Sequence, residues 1–202
     1  MNGSSGVPER QVRAQFSEQV VIVYQAYSPA IAERALCAGR FVSPFKRERM
    51  TWIKPSFLWM MYRSGWAAKA GQERVLAVNV TRTGFEWALA NSCLSHYDPR
   101  TYSDEEHWLD RKATSPVRVQ WDPERSLDLE PLRHRAIQIG LGGEAVHRYV
   151  DEWTVELTDV TDLAIEMRSL VAAGRLDDAT DRLPMERPYP LPVELRVAVG
   201  AT

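Results

Sequence analysis

The stretch Val20-Val21-Ile22-Val23-Tyr24-Gln25-Ala26-Tyr27-Ser28-Pro29 decides how this chain is read. An apolar run, predicted as a strand over 20–25, ends in polar and aromatic residues and hands directly to a helix predicted over 29–38. Ser28 suits the helix cap, Pro29 its first turn, and Gly39 its end. Tyr24, Gln25 and Tyr27 therefore sit at the lip of a buried strand, beside a helix N-terminus. That is a common place to hold phosphates or a carbonyl.

Upstream, residues 1–8 read as a loose tail, and 9–19 as a polar approach carrying Arg10 and Arg13. Downstream comes a basic loop with Lys46, Arg47 and Arg49. A second helix starts around Lys54-Pro55-Ser56, with Pro55 in its first turn. Phe57, Leu58, Trp59, Met60, Met61 and Tyr62 make that helix apolar nearly all round, so it is expected to be buried on more than one face. Arg74 to Thr81 alternates as a strand, with Leu76, Val78 and Val80 on one face. Thr83-Gly84-Phe85-Glu86 reads as a capping box opening a helix to about Leu94. The polar connection 95–116 is long enough to predict a lid, a binding loop or a hidden short helix.

Strands are predicted at 117–121, stopped by Asp122-Pro123, and at 136–141 and 153–157. A short helix is expected near 143–150, and another from a Thr161 cap to about Gly174. Pro184, Pro188, Pro190 and Pro192 mark 184–202 as an extended surface tail. Strands and helices intersperse without a βαβ rhythm. The predicted class is α+β: one domain over 9–183 with a split or mixed, mainly antiparallel sheet and flanking helices.

Composition narrows the function classes. The chain has 202 residues, 45% of them hydrophobic, enough for a substantial core. A net charge of -2 gives no global electrostatic case for nucleic-acid binding. Cys37 and Cys93 are the only cysteines, and His96, His107, His134 and His147 form no recognised metal spacing. The polar N-terminus lacks a signal core, and no run reaches bilayer length, so a soluble cytoplasmic protein without a membrane partner is expected. P-loop, dinucleotide-type glycine, nucleophile-elbow and zinc-helix patterns are absent.

The candidate chemistry is a pocket for a charged planar ligand. Tyr24, Gln25 and Tyr27 suit stacking and amide hydrogen bonds, or simply cap the core. Arg10 and Arg13 suit phosphates, or a solvated segment. Arg49, Lys54, Ser56 and Arg63 surround the Trp-rich helix, and Trp59 and Arg63 share a helix face. They read as a nucleotide-pocket wall or as snorkelling ends of a core helix. Asp122 and Glu124 follow a strand, where a carboxylate can polarise a sugar hydroxyl or accept a proton, or form part of a Pro-containing turn. Gln138, between Ile137 and Ile139, either faces solvent or lines a cavity. The acidic run Asp104-Glu105-Glu106 reads as a solvated face.

Three blocks carry a family resemblance: Arg13 through Tyr27; Arg49 through Arg63; and Val119 through Arg125 together with Ala136 through Leu141. They resemble the family catalogued as domain of unknown function 4291, over roughly Arg10 to Thr161. The family name carries no activity. At fold level, Val23 to Ser28, a helix, then Gly39-Arg40-Phe41 is similar to the opening of ADP-ribosyltransferases. In those enzymes a strand-end His or Arg holds the ribose and amide of NAD, and a later acidic residue assists transfer. Gln25 stands at the first position; Glu124, or else Glu144, is the candidate for the second. The resemblance implies NAD as substrate, an acceptor that is a nucleic acid or a protein, and catalytic roles for Gln25 and Glu124. Arg13 and Lys54 would neutralise the pyrophosphate, with Tyr24 or Tyr27 stacking and Ser56, Trp59, Arg63 and Gln138 completing the pocket. The alternative is a nucleotide or single-stranded nucleic-acid binding module without catalysis.

Overall fold

The structure is a computed structural model that describes residues 6–202, so residues 1–5 of the expected tail lie outside the described residues. Its strands are β1 (Arg13–Ala14), β2 (Val20–Tyr27), β3 (Thr51–Ile53), β4 (Arg74–Thr81), β5 (Ser92–Leu94), β6 (Val117–Arg125), β7 (Pro131–Leu141), β8 (Thr154–Asp159) and β9 (Arg187–Pro188). Its α-helices are α1 (Pro29–Ala38), α2 (Phe57–Ser64), α3 (Arg82–Ala90), α4 (Glu105–Thr114), α5 (Glu144–Arg148), α6 (Thr161–Ala172), α7 (Leu176–Asp181) and α8 (Val193–Ala198), with a π-helical turn at Tyr149–Trp153.

Two main sheets form. In the first, β4 lies between β2 and β8, both antiparallel to it, with Val20 opposite Thr81 and Tyr27 opposite Arg74. In the second, the order is β3-β7-β6-β5, antiparallel except for the parallel β5–β6 pair. The architecture is α+β with mainly antiparallel sheets and flanking helices.

Alternation explains which faces are buried. Val21 and Val23 of β2 enter the main core with Leu76, Val78 and Val80 of β4. On the other face of β2, Tyr24 packs with Phe57, Met60 and Met61 of α2 and with Ala164 and Met167 of α6. A strand covered on both faces needs a continuous apolar run, which 20–23 supplies. The second sheet turns Ile53, Val117, Val119, Trp121, Ile137, Ile139 and Leu141 into the main core. Its other face carries Trp52, Gln120, Asp122, Gln138 and Gly140, and this composition cannot be core. A Cβ on Gly140 would lie 2.8 Å from Met50 Sδ and 2.9 Å from the Trp52 ring, so the bare backbone makes room for both.

One antiparallel bridge joins β2 to the segment after β3. Tyr24 N donates to Lys54 O at 2.7 Å, and Lys54 N to Tyr24 O at 3.3 Å. This bridge is the seam of a split sheet.

Several boundaries differ from the sequence reading. The first strand continues to Tyr27, because β4 pairs with it throughout. Ser28 occupies the cap position of α1 but makes no side-chain cap bond, whereas Gly39 ends the helix in the left-handed region. α2 begins at Phe57, after Pro55, and Ser56 caps it by accepting from Trp59 N. Thr81, not Thr83, caps α3, which stops at Ala90 so that Ser92–Leu94 can pair with β6. The connection 95–116 does contain a helix, α4. Asp104 of the acidic run caps it by accepting from His107 N at 2.7 Å, so the run is more than a solvated face. Pro123 does not stop β6; a register shift between Pro123 and Arg125 absorbs its missing N–H. Thr161 lies inside the first turn of α6, its hydroxyl accepting from Val75 N.

The largest correction concerns 184–202, expected as a surface tail. β9 pairs with β1, Tyr189 and Val199 are buried in the main core, and Trp121 Nε1 donates to Val199 O at 2.7 Å. The prolines stiffen a segment that is part of the domain.

Candidate ligand cleft

Beside the Tyr24–Lys54 seam opens a cleft of about 600 Å³. The polar face of the second sheet forms one wall, and the loop before β3 and α2 form others. Four cations line it: Lys46, Arg49, Lys54 and Arg63. Four rings do so too, those of Tyr27, Phe45, Trp52 and Trp59. Gln25, Gln72, Gln120 and Gln138 contribute amides, and among the described residues no carboxylate lines the cleft.

Lys54 is 5% exposed, with Nζ 4.8 Å from the centre of the Trp59 ring, and it makes no ion pair among the described residues. Burial and then the neighbouring Arg63 bring its ammonium down to about 7, against the opposing pull of Asp122. Asp122 accepts from Gln120 Nε2 at 2.9 Å and from Gln138 Nε2.

Gln25 is buried and fully engaged. Its Nε2 donates to Thr51 Oγ1 at 2.8 Å and Trp52 O at 3.1 Å, and its Oε1 accepts from the Tyr149 hydroxyl at 2.6 Å. The Tyr27 hydroxyl meets Thr51 Oγ1 at 3.0 Å. Burial raises the pKa of both tyrosines, which keeps them protonated within this network. Tyr24 faces away from the cleft, edge-on to Phe57 at 5.3 Å.

A second cleft of about 250 Å³ is lined by Arg13, Ser56, Glu124, His134 and Glu186, among others. Ser56 Oγ and Arg125 N both donate to Glu124 Oε1 at 2.8 Å. Burial raises the Glu124 pKa against those bonds. Glu186 accepts from Phe57 N at 2.7 Å; burial, reinforced by Glu124, pushes its carboxyl up to about 8. Arg13 donates to Glu186 O at 3.1 Å.

The expected site residues thus divide. Gln25, Tyr27, Lys54, Trp59, Arg63 and Gln138 meet in the larger cleft. Arg13, Ser56 and Glu124 meet in the smaller one. Tyr24 is core, and Glu144 is exposed at the start of α5 and lines neither cleft. Lys54 opens into the first cleft and Ser56, two residues on, into the second. Sequence reasoning missed Trp52, Gln120, Glu186 and Tyr149 in these roles. Gln120 had a readable signal: like Gln138, it is an amide between apolar neighbours in a strand. Glu186, inside a proline-rich run, had none.

A family profile for a domain of unknown function (DUF4291) matches residues 11–189. The chain belongs to the DUF4291 family. Every residue named above in either cleft falls within the DUF4291 span, while α8 lies beyond it. No curated protein matches the chain. Among the described residues, no helix is long and apolar enough to cross a membrane, and no group of three or more His, Cys, Asp or Glu could hold a metal ion.

Proposed function

We propose that the larger cleft binds NAD and that the chain transfers ADP-ribose from it to a nucleic-acid or protein acceptor. One observation carries this reading: four cations and four rings line a cleft at the seam of a split sheet, with no lining carboxylate among the described residues to repel phosphate. Lys54 and Arg63 suit a pyrophosphate, and Trp59 and Tyr27 suit the flat rings. The likeness of Val23–Ser28 to the opening of ADP-ribosyltransferases supports the same ligand. In the transfer, the bond from ribose C1 to the nicotinamide nitrogen breaks and nicotinamide leaves with its electrons. The acceptor nucleophile then bonds to C1 and releases a proton. Gln25 acts as a positioning residue here, because Thr51, Trp52 and Tyr149 already occupy its amide.

A second reading rests on a separate observation. Glu124 opens into the smaller cleft, so the larger one, by its lining, suits binding better than bond cleavage. On that reading the chain is a nucleotide or single-stranded nucleic-acid binding module. The test is titration with NAD, with nicotinamide release measured with and without DNA, RNA and cell protein. The expected result is NAD binding with acceptor-dependent release, and binding weakened about tenfold or more in Lys54→Ala and Arg63→Ala. Binding without release in every arm moves the assignment to the second reading. Absence of binding to both NAD and oligonucleotides removes both.

A further inference from the structure

The floor of the larger cleft carries a feature that anion binding does not use. Gln120 and Gln138 are directly opposed across β6 and β7, on the face that also carries Asp122. Both amides donate through Nε2 to the single carboxylate of Asp122. A carboxylate only accepts, so neither amide can turn over without setting its carbonyl against it. The orientation of both is therefore fixed, and their tips are held together. Neither Oε1 receives a hydrogen bond from a described residue, and neither is sealed from solvent. Both residues line the cleft. The cleft thus has cationic walls and, on its floor, two neighbouring hydrogen-bond acceptors that cannot become donors.

We infer that Gln120 and Gln138, oriented by Asp122, recognise the vicinal hydroxyls of a ribose, and that the cleft selects ribonucleotides over their deoxy counterparts. The inference rests on the nucleotide reading above and names the part of the ligand that these two amides take. Two adjacent hydroxyls supply two donors on one small rigid ring, which matches two acceptors brought together on one carboxylate. Asp122 is a positioning residue in this scheme. It touches no ligand and acts by deciding which atom of each amide faces the cleft.

The experiment compares ADP with 2′,3′-dideoxy-ADP by titration calorimetry, with NAD measured in parallel. The wild-type chain is expected to bind ADP at least about tenfold more tightly, because the dideoxy ligand leaves two acceptors unpaired. Asp122→Asn has the same shape but can itself donate, so it frees the amides to turn. Its expected discrimination falls towards unity while dideoxy-ADP binds as before. Gln138→Met keeps the side-chain length and removes one carbonyl, and a partial loss of discrimination is expected. Its far-ultraviolet spectrum and melting temperature show whether it is folded. Equal binding of the two ligands to wild type overturns the inference and leaves the nucleotide reading intact. Unchanged discrimination in both variants overturns it too. Failure of ADP to bind also overturns it, and the parallel NAD titration then shows whether the nucleotide reading falls as well.

Discussion

Lys54 is where the proposed binding and stability pull in opposite directions. Its ammonium lies beside an indole and near a second cation, with no ion pair among the described residues, so the native state holds a charge it would rather release. The amine comes down to about 7 in the folded chain against 10.5 in its ordinary state. Between those values the unfolded chain binds a proton that the native chain does not, so this group makes stability rise with pH across that window. Below about 7 its penalty is complete. Lys54→Met is therefore expected to raise the melting temperature at pH 6 clearly more than at pH 10, and to weaken the proposed nucleotide binding more at pH 6, where the amine is charged, than at pH 10. An equal gain at the two pH values would show that the charge is not the cause. Lys54, Trp59 and Arg63 were legible in the sequence because helix spacing and an apolar run with basic ends are local signals. The true partners of Gln25 were not legible: Thr51 and Tyr149 are 26 and 124 residues away, and nothing local announces them. For the same reason the division of Gln25 and Glu124 between two clefts could not be read, since it depends on how the second sheet meets the first.

The elements whose two faces are set by their own sequence were legible: β2, β4 and α1 follow from an apolar run, an alternation and a Pro-to-Gly frame. Those set by a partner were not. β5 exists because β6 offers it an edge, and α4 buries only Trp108 among its ten residues, too little to leave a periodic pattern. The junction of α3 with the π-helical turn shows how tightly elements are matched. A Cβ on Gly84 would fall 2.3 Å from Cγ of Trp153, inside an indole that is itself 6% exposed. On propensity alone, Gly84→Ala should stabilise α3 by up to about 1 kcal/mol. The steric conflict should win, because the Trp153 ring also packs on Trp87 at 5.3 Å and the backbone of α3 is anchored by the Thr81 cap. The expected net loss is about 1–3 kcal/mol in urea unfolding. A stabilised variant would mean that α3 and the turn do not pack this closely.

At the scale of the molecule, the C-terminal segment closes the domain on itself. β9 completes a two-stranded ladder with β1, Tyr189 joins Arg82 and Glu86 through its hydroxyl, and Thr202 N donates to Arg10 O at 2.9 Å. Glu186 is the strap between this segment and α2, since its carboxyl satisfies the first amide of that helix. Burial, reinforced by Glu124, raises that carboxyl from 4.5 to about 8, so near neutral pH the native chain keeps a proton that the unfolded chain has lost. The sign is opposite to that of Lys54: stability from this group is full below about 4.5 and declines as pH rises towards 8. Glu186→Gln retains an acceptor for Phe57 N and removes the titration. It is expected to leave the melting temperature near wild type at pH 5 and to raise it at pH 8, with a flatter profile between. Some slope should persist, because Glu124 is raised in the same direction and remains in the variant. Parallel profiles for the two proteins would show that the strap does not titrate, and the pH response of the fold would then lie with other groups, Glu124 and Lys54 among them.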